Sequence, residues 1–178
     1  MLLFSHLEQI TNGKIIQLPA DRPVTELIID SRKAMAGDGS VFFAIHGPHH
    51  NGHQYIQQLY QTGVRQFIIE EHVDVRDYKE ANFIQVESST DALQKVAAHH
   101  RGNFSIPVIG ITGSNGKTIV KEWLYQLLSP QYTIAKNPGS YNSQVGVPLS
   151  VWQLQPYHTL GIFEAGISQP GEMEKLER

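Results

Sequence analysis

The stretch Val108–Leu128 constrains this chain more than any other, because it places an apolar run, a glycine-rich turn and a helix-period segment in direct succession. The run from Val108 to Ile111 is typical of a buried parallel strand. The segment after the turn predicts an amphipathic helix. Its predicted inward side consists of Val120, Trp123, Leu124, Leu127 and Leu128. The stretch therefore predicts one strand–turn–helix unit.

The turn itself, residues 112–118, has the composition of a loop that grips a polyphosphate. Its glycines let the backbone approach a ligand closely, and the N–H groups at a helix start attract negative charge. Lys117 adds a mobile cation, and the hydroxyl of Thr118 can ligate a magnesium ion. The residues predicted to bind ATP are Gly113, Ser114, Asn115, Gly116, Lys117 and Thr118.

The spacing of this loop differs from the common phosphate-loop pattern, in which four residues separate a first glycine from the Gly-Lys pair. Counted back from Gly116, that first glycine would fall at position 111, which is Ile111. A plain glycine-rich turn between a strand and a helix is the alternative interpretation. The coincidence of Gly116, Lys117 and Thr118 at a predicted helix start favours nucleotide binding.

Composition excludes several other classes of protein. With 40% apolar and 17% charged residues, the 178 residues are typical of a soluble globular protein and not of a disordered one. A net charge of −3 argues against a general nucleic-acid binder. The absence of cysteine excludes a disulfide framework and a thiolate site. No run approaches membrane-spanning length and the first residues lack signal-peptide features, so we expect a cytoplasmic protein without membrane insertion.

The first part of the chain alternates predicted strands with predicted helices, which indicates a small α/β domain over residues 1–104. The predicted strands are residues 14–18, 26–29, 40–45, 66–69 and 82–86. The predicted helices are residues 3–10, residues 55–62, and a third that Asp91 caps and that ends at His100. By composition, residues 46–53 are predicted to form a loop.

Residues 105–178 predict the first part of a doubly wound nucleotide-binding domain, with residues 101–107 as the linker before it. Apolar runs at 132–135 and 160–163 are candidate strands, and a helix is expected from Val147 or Pro148. A doubly wound domain needs about five or more parallel strands. Only three can be counted here, so we expect this domain to be incomplete.

Glu164 directly follows the predicted strand at 160–163. In open α/β sheets, ligands collect beyond the carboxyl ends of the strands. A carboxylate there, beside Lys117 and Thr118, is well placed to hold magnesium against ATP phosphates. An ordinary surface glutamate is the alternative interpretation.

Four histidines, His46, His49, His50 and His53, fall within the predicted loop at 46–53. A zinc site would need further ligands, and neither a cysteine nor a carboxylate completes a set within the loop. We therefore favour a polar loop that contacts a ligand through hydrogen bonds.

The order of several motifs resembles the Mur ligase family of peptidoglycan synthesis. The motifs are Asp30-Ser31-Arg32, the Gly-Asp-x-x-x-Phe-Phe-Ala-Ile-x-Gly run at 37–47, Asn51-Gly52-His53 and the loop at 112–118. The run Tyr141–Leu149 is most similar to family members that add D-alanyl-D-alanine to UDP-N-acetylmuramoyl-tripeptide. The resemblance extends from about residue 24 to residue 171.

The resemblance implies an ATP- and magnesium-dependent ligase with three domains, of which the first binds the UDP end of the substrate and the second is a P-loop-type ATPase. It implies that Lys117 and Glu164 are catalytic and that Thr118 and Glu164 hold the magnesium ion. It also implies that Ser31, Arg32, Gly47, His49, Asn51, His53 and Asn142 contact the substrate. A non-catalytic UDP-sugar or nucleotide-binding module, and a Mur ligase of different amino-acid specificity, are the alternatives.

Two departures from the family pattern bear on this interpretation. Ile119 stands where many relatives have a second threonine, which removes one expected hydroxyl contact to phosphate. The family's later magnesium-linked histidine, its carbamylated lysine and its C-terminal domain lie beyond Arg178. We therefore expect no ATP-dependent ligation from these 178 residues by themselves.

Overall fold

Two main β-sheets, formed by different parts of the sequence, organise the chain. The computed structural model describes residues 1–33, 37–47, 50–167 and 170–177. The chain divides into two units, Met1–Val96 and Ala97–Arg178. The domain boundary expected at residue 104 from the sequence stays a prediction. None of the helices in the described ranges is long and apolar enough to cross a membrane.

The first unit is built on a five-stranded sheet. Its strands are β1 (Lys14–Gln17), β2 (Glu26–Ile28), β3 (Ser40–Phe43), β6 (Gln66–Ile69) and β7 (Asn82–Gln85). Across the sheet they follow the order β1-β7-β6-β3-β2. β1 pairs antiparallel with β7, and the other neighbours pair parallel. Its helices are α1 (His6–Thr11), α2 (Ile56–Gln61) and α3 (Ser89–Arg101), whose last residues belong to the second unit.

Apolar side chains on the central strands form the core of this unit. Every residue of β3 and β6 is buried, as expected for strands inside a parallel sheet. Phe67 stacks on Phe83 with ring centroids 5.1 Å apart, and Phe42 meets Phe67 edge-on at 6.4 Å. Ile56 and Leu59, three residues apart on α2, pack against the same cluster. The small α/β domain predicted from the alternating pattern is therefore present.

Two details of this unit differ from the sequence prediction. Asp91 is not the cap of α3, because the helix begins at Ser89 and Ser88 Oγ accepts a hydrogen bond from the Asp91 N–H at 3.2 Å. The predicted loop at 46–53 contains a short antiparallel hairpin, β4 (His46–Gly47) and β5 (His50–Asn51), followed by a 3₁₀ turn, Gly52–Tyr55.

The second unit contains a three-stranded parallel sheet of order β8-β10-β9. Its strands are β8 (Val108–Ile111), β9 (Ile134–Lys136) and β10 (Leu160–Glu164). Its helices are α4 (Lys117–Leu128), α5 (Gly146–Val151) and α6 (Glu172–Glu177). The three strands counted from the sequence are thus confirmed, and β10 lies in the middle with its residues buried throughout.

The burial predicted for the strand–turn–helix unit is wrong in two respects. β8 lies at the edge of the described sheet and alternates exposed with half-buried residues. On α4, Val120, Trp123 and Leu127 are 43%, 63% and 74% exposed, whereas Lys121 is fully buried. The buried side of the helix therefore carries Lys121, which pairs with Glu164, and not these three residues of the predicted apolar stripe.

Candidate active site

The loop between β8 and α4 has the backbone conformation that its glycines allow. Gly113 and Gly116 have φ angles of 141° and 77°, where residues with a Cβ are rarely found. Gly116 directly precedes the first residue of α4, and no side chain caps the helix within the described residues. The first N–H groups of this twelve-residue helix therefore have no side-chain cap among the described residues, which leaves them available to an anion.

Lys117 closes this loop in the structure. Its Nζ donates a hydrogen bond to the carbonyl oxygen of Gly113 at 2.7 Å, a contact exposed to solvent. A pocket of about 290 Å³ lies at the same place. It is lined by Ser114, Asn115, Gly116, Lys117, Thr118, Ile119 and Asn142. Five of the six residues predicted to bind ATP thus line one pocket, and the sixth, Gly113, accepts the lysine.

Glu164 is the last residue of β10 and is fully buried. Its Oε1 accepts hydrogen bonds from Thr118 Oγ1 at 3.1 Å and from Asn142 Nδ2 at 2.7 Å. The pairing of β10 with β8 places Glu164 opposite Ile111, where the loop begins. The surface-glutamate alternative is therefore wrong, and three residues predicted separately from the sequence meet at one carboxylate.

Two further residues hold Glu164, and the sequence interpretation missed both. The buried side chain of Asn137 accepts a hydrogen bond from the Glu164 N–H at 2.7 Å and donates one to its carbonyl at 3.0 Å. Lys121 Nζ lies 3.4 Å from Glu164 Oε2. The sequence contained a signal for each of them. Asn137 directly follows β9, so it lies at the carboxyl end of the parallel strands, as Glu164 does. Lys121 lies three residues after Thr118 and therefore on the same face of α4.

The oxygen atoms at this site fit a magnesium ion. Hydroxyl, carboxylate and phosphate oxygens are the ligands that Mg²⁺ prefers, and it commonly takes one or two carboxylates with substrate phosphates and water. Thr118 and Glu164 supply the hydroxyl and the carboxylate beside the pocket. Glu164 Oε2 is buried and accepts no hydrogen bond from the part of the chain that the structure describes. Apart from the Lys121 ammonium 3.4 Å away, this oxygen has no hydrogen-bond partner among the described residues, so it can accept a second cation.

A second pocket, of about 550 Å³, lies in the first unit. Its lining consists of Ile29, Asp30, Ser31, Arg32, His50, Tyr55 and Gln58. Asp30 holds the guanidinium of Arg32 through two hydrogen bonds of 2.9 and 2.8 Å. His50 and Tyr55 stack with ring centroids 5.3 Å apart. The pocket thus combines a guanidinium paired with a carboxylate, a hydroxyl and flat ring surfaces.

The other substrate residues predicted in this unit lie on or beside the β4–β5 hairpin. Gly47 belongs to β4, Asn51 to β5 and His53 to the turn that follows, and none of the three lines the pocket of the first unit. His49 lies outside the described residues. The substrate contacts predicted for these positions stay predictions.

His53 bonds within the protein through both ring nitrogens. Its Nε2 accepts hydrogen bonds from the N–H groups of Glu70 and Glu71 at 2.9 and 3.2 Å, and Nδ1–H donates to Asn51 Oδ1 at 2.8 Å. These partners assign the neutral Nδ1–H tautomer. Burial lowers the pKa of His53, against a smaller raising effect of Glu71 and Glu70. The ring, 7% exposed, anchors the hairpin to the end of β6.

We expect the fold to lose stability on acidification through His53. Its pKa in the folded state lies below the ordinary value of 6.5, so the unfolded chain binds the proton more readily. The contribution is fully present above pH 6.5 and is lost as pH falls toward the folded-state pKa, by at most about 1.4 kcal/mol per pH unit. Urea unfolding at pH 7.5 and 5.5 should show a smaller pH dependence for His53→Gln than for wild type. The same dependence in both would contradict the assignment, and exposed His72→Gln is the control.

Two family models match the chain. The model described as "Mur ligase family, catalytic domain" matches residues 23–101, and "Mur ligase middle domain" matches residues 111–178. The chain is 32% identical over 162 residues to the UDP-N-acetylmuramoyl-tripeptide–D-alanyl-D-alanine ligase of Synechocystis sp., covering 91% of this chain and 35% of that protein. It is 34% identical over 155 residues to the ligase of the same name from Treponema pallidum, covering 83% of this chain and 33% of that protein.

Solved structures agree with these relatives. MurF from Acinetobacter baumannii superposes with a TM-score of 0.85 at 28% identity, covering 97% of this chain and 37% of that one. MurF ligase from Thermotoga maritima, solved in complex with ADP, superposes with a TM-score of 0.75 at 35% identity, covering 86% of this chain and 34% of that one.

This chain belongs to the Mur ligase family. Within that family, the two relatives named above are UDP-N-acetylmuramoyl-tripeptide–D-alanyl-D-alanine ligases, and the two solved structures are named MurF. The family resemblance and the predicted fold class, a small α/β domain followed by the start of a doubly wound P-loop-type domain, are therefore confirmed. The chain spans 35% of the length of the Synechocystis relative.

Proposed function

We propose that this chain is part of an ATP-dependent ligase that joins D-alanyl-D-alanine to UDP-N-acetylmuramoyl-tripeptide in the cytoplasm. One observation carries the proposal: Thr118 and Asn142 both donate hydrogen bonds to the Glu164 carboxylate, beside the loop that Lys117 closes. The named activity of the relatives and the ADP bound in one similar structure support it. Because the chain covers about a third of those proteins, the reaction belongs to the whole protein.

In the proposed reaction, the tripeptide carboxylate attacks the γ-phosphorus of ATP, which breaks the bond to the β,γ-bridging oxygen, forms an acyl phosphate and releases ADP. The amine of D-alanyl-D-alanine then displaces phosphate through a tetrahedral intermediate. Both steps bring anionic groups together, so catalysis depends mainly on charge stabilisation and positioning. Excluding water protects the acyl phosphate from hydrolysis.

Lys117 and the start of α4 bind the phosphates in this proposal. The ammonium exchanges the Gly113 carbonyl, which it meets in a solvent-exposed contact, for a phosphate oxygen, a change that needs only side-chain rotation. Ser114, Asn115 and Gly116 also line the pocket, and their backbone N–H groups add hydrogen-bond donors to the phosphates. Unlike Lys117, they carry no mobile charge. When bound, a magnesium ion would neutralise phosphate charge, with Thr118 and Glu164 as its protein ligands.

The pocket of the first unit is proposed to bind the UDP end of the substrate. Its cation, Arg32, suits the diphosphate, and the ring faces of His50 and Tyr55 suit a nucleobase or ribose. Ser31 supplies a hydroxyl to the same pocket. Gly47, His49, Asn51 and His53 are proposed to contribute from the neighbouring hairpin region, as the family resemblance implies.

We expect Ser31→Ala to weaken binding of UDP-N-acetylmuramoyl-tripeptide by about 0.5–1.5 kcal/mol, the net contribution of one hydrogen bond. The loss has this size because a hydroxyl contributes one bond and the pocket keeps its other groups. Isothermal titration calorimetry on the full-length protein measures it. Ser129→Ala, at an exposed serine in the second unit, is the matched control. An unchanged affinity in Ser31→Ala would argue against the uridine assignment.

Substrate-dependent phosphate release from the full-length protein tests the proposed function as a whole. Release from ATP should require both UDP-N-acetylmuramoyl-tripeptide and D-alanyl-D-alanine, because the acyl phosphate accumulates without an amine to attack it. Substituting single amino acids for the dipeptide tests the specificity. Turnover with a single amino acid in place of the dipeptide would identify a Mur ligase of another specificity, and no nucleotide turnover would favour a binding module.

A further inference from the structure

A fully buried lysine lies beneath the phosphate loop, outside the pocket. Lys121 follows Lys117 by one helical turn and has no exposed side-chain surface. Its Nζ donates hydrogen bonds to the carbonyl oxygens of Asn137, at 2.9 Å, and of Gly139. An ammonium removed from water loses hydration that only paired charges and hydrogen bonds can replace. The position of Lys121 therefore depends on what its charge contacts.

The carboxylate that faces Lys121 is Glu164. Glu164 Oε1 already accepts two hydrogen bonds, from Thr118 and Asn142, while Oε2 lies 3.4 Å from Lys121 Nζ. Both side chains of this ion pair are fully buried. Glu122 also lies 3.5 Å from the ammonium, but it is 38% exposed and bonds to Lys136. Glu164 thus depends on Lys121 for its countercharge, whereas Glu122 does not.

Lys121 also fixes the segment that carries Asn142. The carbonyls of Asn137 and Gly139 bind its ammonium, and the Asn137 amide donates to Tyr141 O at 2.7 Å. The same Asn137 side chain holds the backbone of Glu164. One ammonium therefore connects α4, residues 137–142 and the end of β10.

We propose that Lys121 is a positioning residue that holds the Glu164 carboxylate and the 137–142 segment in place for the cation that accompanies the nucleotide. It acts through Glu164 and does not contact the phosphates, because it is absent from the lining of the phosphate pocket. This inference rests on the proposed nucleotide-binding function and assigns a role to a residue outside the loop motif. Partners that orient a metal ligand typically contribute about 10–100-fold to metal affinity.

ADP binding by calorimetry, with magnesium and with EDTA, tests this role in the full-length protein. The quantity of interest is the gain in ADP affinity that magnesium produces. Lys121→Met keeps the side-chain length and removes the charge, so it should reduce this gain by about 10–100-fold. Affinity in EDTA should stay close to wild type, because Lys117 and the loop N–H groups are intact. Lys121→Arg, which keeps the charge, should recover part of the gain.

Lys136→Met is the matched control. Its ammonium contacts Glu122 and lies 4.1 Å from the centroid of the Tyr125 ring, and the structure describes no contact of it with Glu164. It should therefore keep the full magnesium gain. Each variant is compared after circular dichroism shows a wild-type fold. Lys121→Gln, which keeps a donor for the two carbonyls, replaces Lys121→Met if the latter does not fold.

The outcomes separate the inference from the function on which it rests. A wild-type protein without any magnesium-dependent gain would overturn the proposed nucleotide site itself. If folded Lys121→Met gains as much ADP affinity from magnesium as wild type does, the positioning role alone would be overturned. Equal losses with magnesium and with EDTA would show a general structural role and would also overturn it.

Discussion

Replacing Lys117 with alanine is expected to lower ATP-dependent turnover of the full-length protein by at least about 10²–10³-fold, the usual loss when one preorganised charge stabiliser is removed. Lys117 is the loop residue whose charge can move to the transferred phosphate, because its ammonium makes a solvent-exposed contact with the Gly113 carbonyl. A phosphate-release assay with saturating substrates measures the loss.

The fold should survive this substitution, because the hydrogen bond that Lys117 donates to the Gly113 carbonyl is exposed to solvent. Circular dichroism and the urea midpoint should therefore match wild type. Lys79→Ala, at an exposed lysine of the first unit, should keep full turnover as the control. Turnover of Lys117→Ala at the wild-type rate would remove the phosphate-loop assignment.

The turn between β8 and α4 could be predicted from sequence because its determinants are local, whereas its binding of phosphate stays a prediction. Gly116, Lys117 and Thr118 are adjacent in the chain, and their backbone conformation depends on residue type more than on distant packing. Glu164 could be predicted for a similar reason, since the end of a short apolar strand is visible in the sequence and has a known place in a parallel sheet.

The buried side of α4 could not be predicted in this way. Periodicity shows that Val120, Trp123 and Leu127 share a stripe, but it does not show which side of the helix faces the sheet. A lysine in such a helix is ordinarily assigned to solvent. Lys121 is buried because Glu164, far along the chain, supplies its countercharge. That pairing exists only after β10 and α4 have come together.

The first residue of α3 also could not be predicted from the sequence alone. Ser88 and Asp91 are both good capping residues, and Gln94 three residues after Asp91 favours the later start. The structure resolves the ambiguity because Ser88 Oγ bonds to the Asp91 N–H, and Ser89 Oγ is held by the Ala44 carbonyl at 3.2 Å. A contact with the residue that follows β3, distant in the chain, thus contributes to fixing the first turn of this helix.

Glu164→Gln is expected to have two separable effects, one on activity and one on stability. Turnover should fall by about 10²-fold or more, because a neutral amide is a poor ligand for magnesium and leaves phosphate charge unbalanced. The free energy of unfolding should fall by about 3–5 kcal/mol, because breaking a buried ion pair leaves the other charge uncompensated. Here the remaining charge is the ammonium of Lys121, which has no exposed surface.

The double variant Lys121→Met with Glu164→Gln distinguishes these effects. Removing both charges eliminates the uncompensated ammonium, so its free energy of unfolding should exceed the value that the two single losses predict by addition. Turnover should not recover, because the magnesium ligand is still missing. Urea unfolding of wild type, both single variants and the double variant measures the coupling. Additive losses in stability would show that the 3.4 Å ion pair does not hold this site together. Recovered turnover would show that the Glu164 carboxylate is not a ligand of the cation.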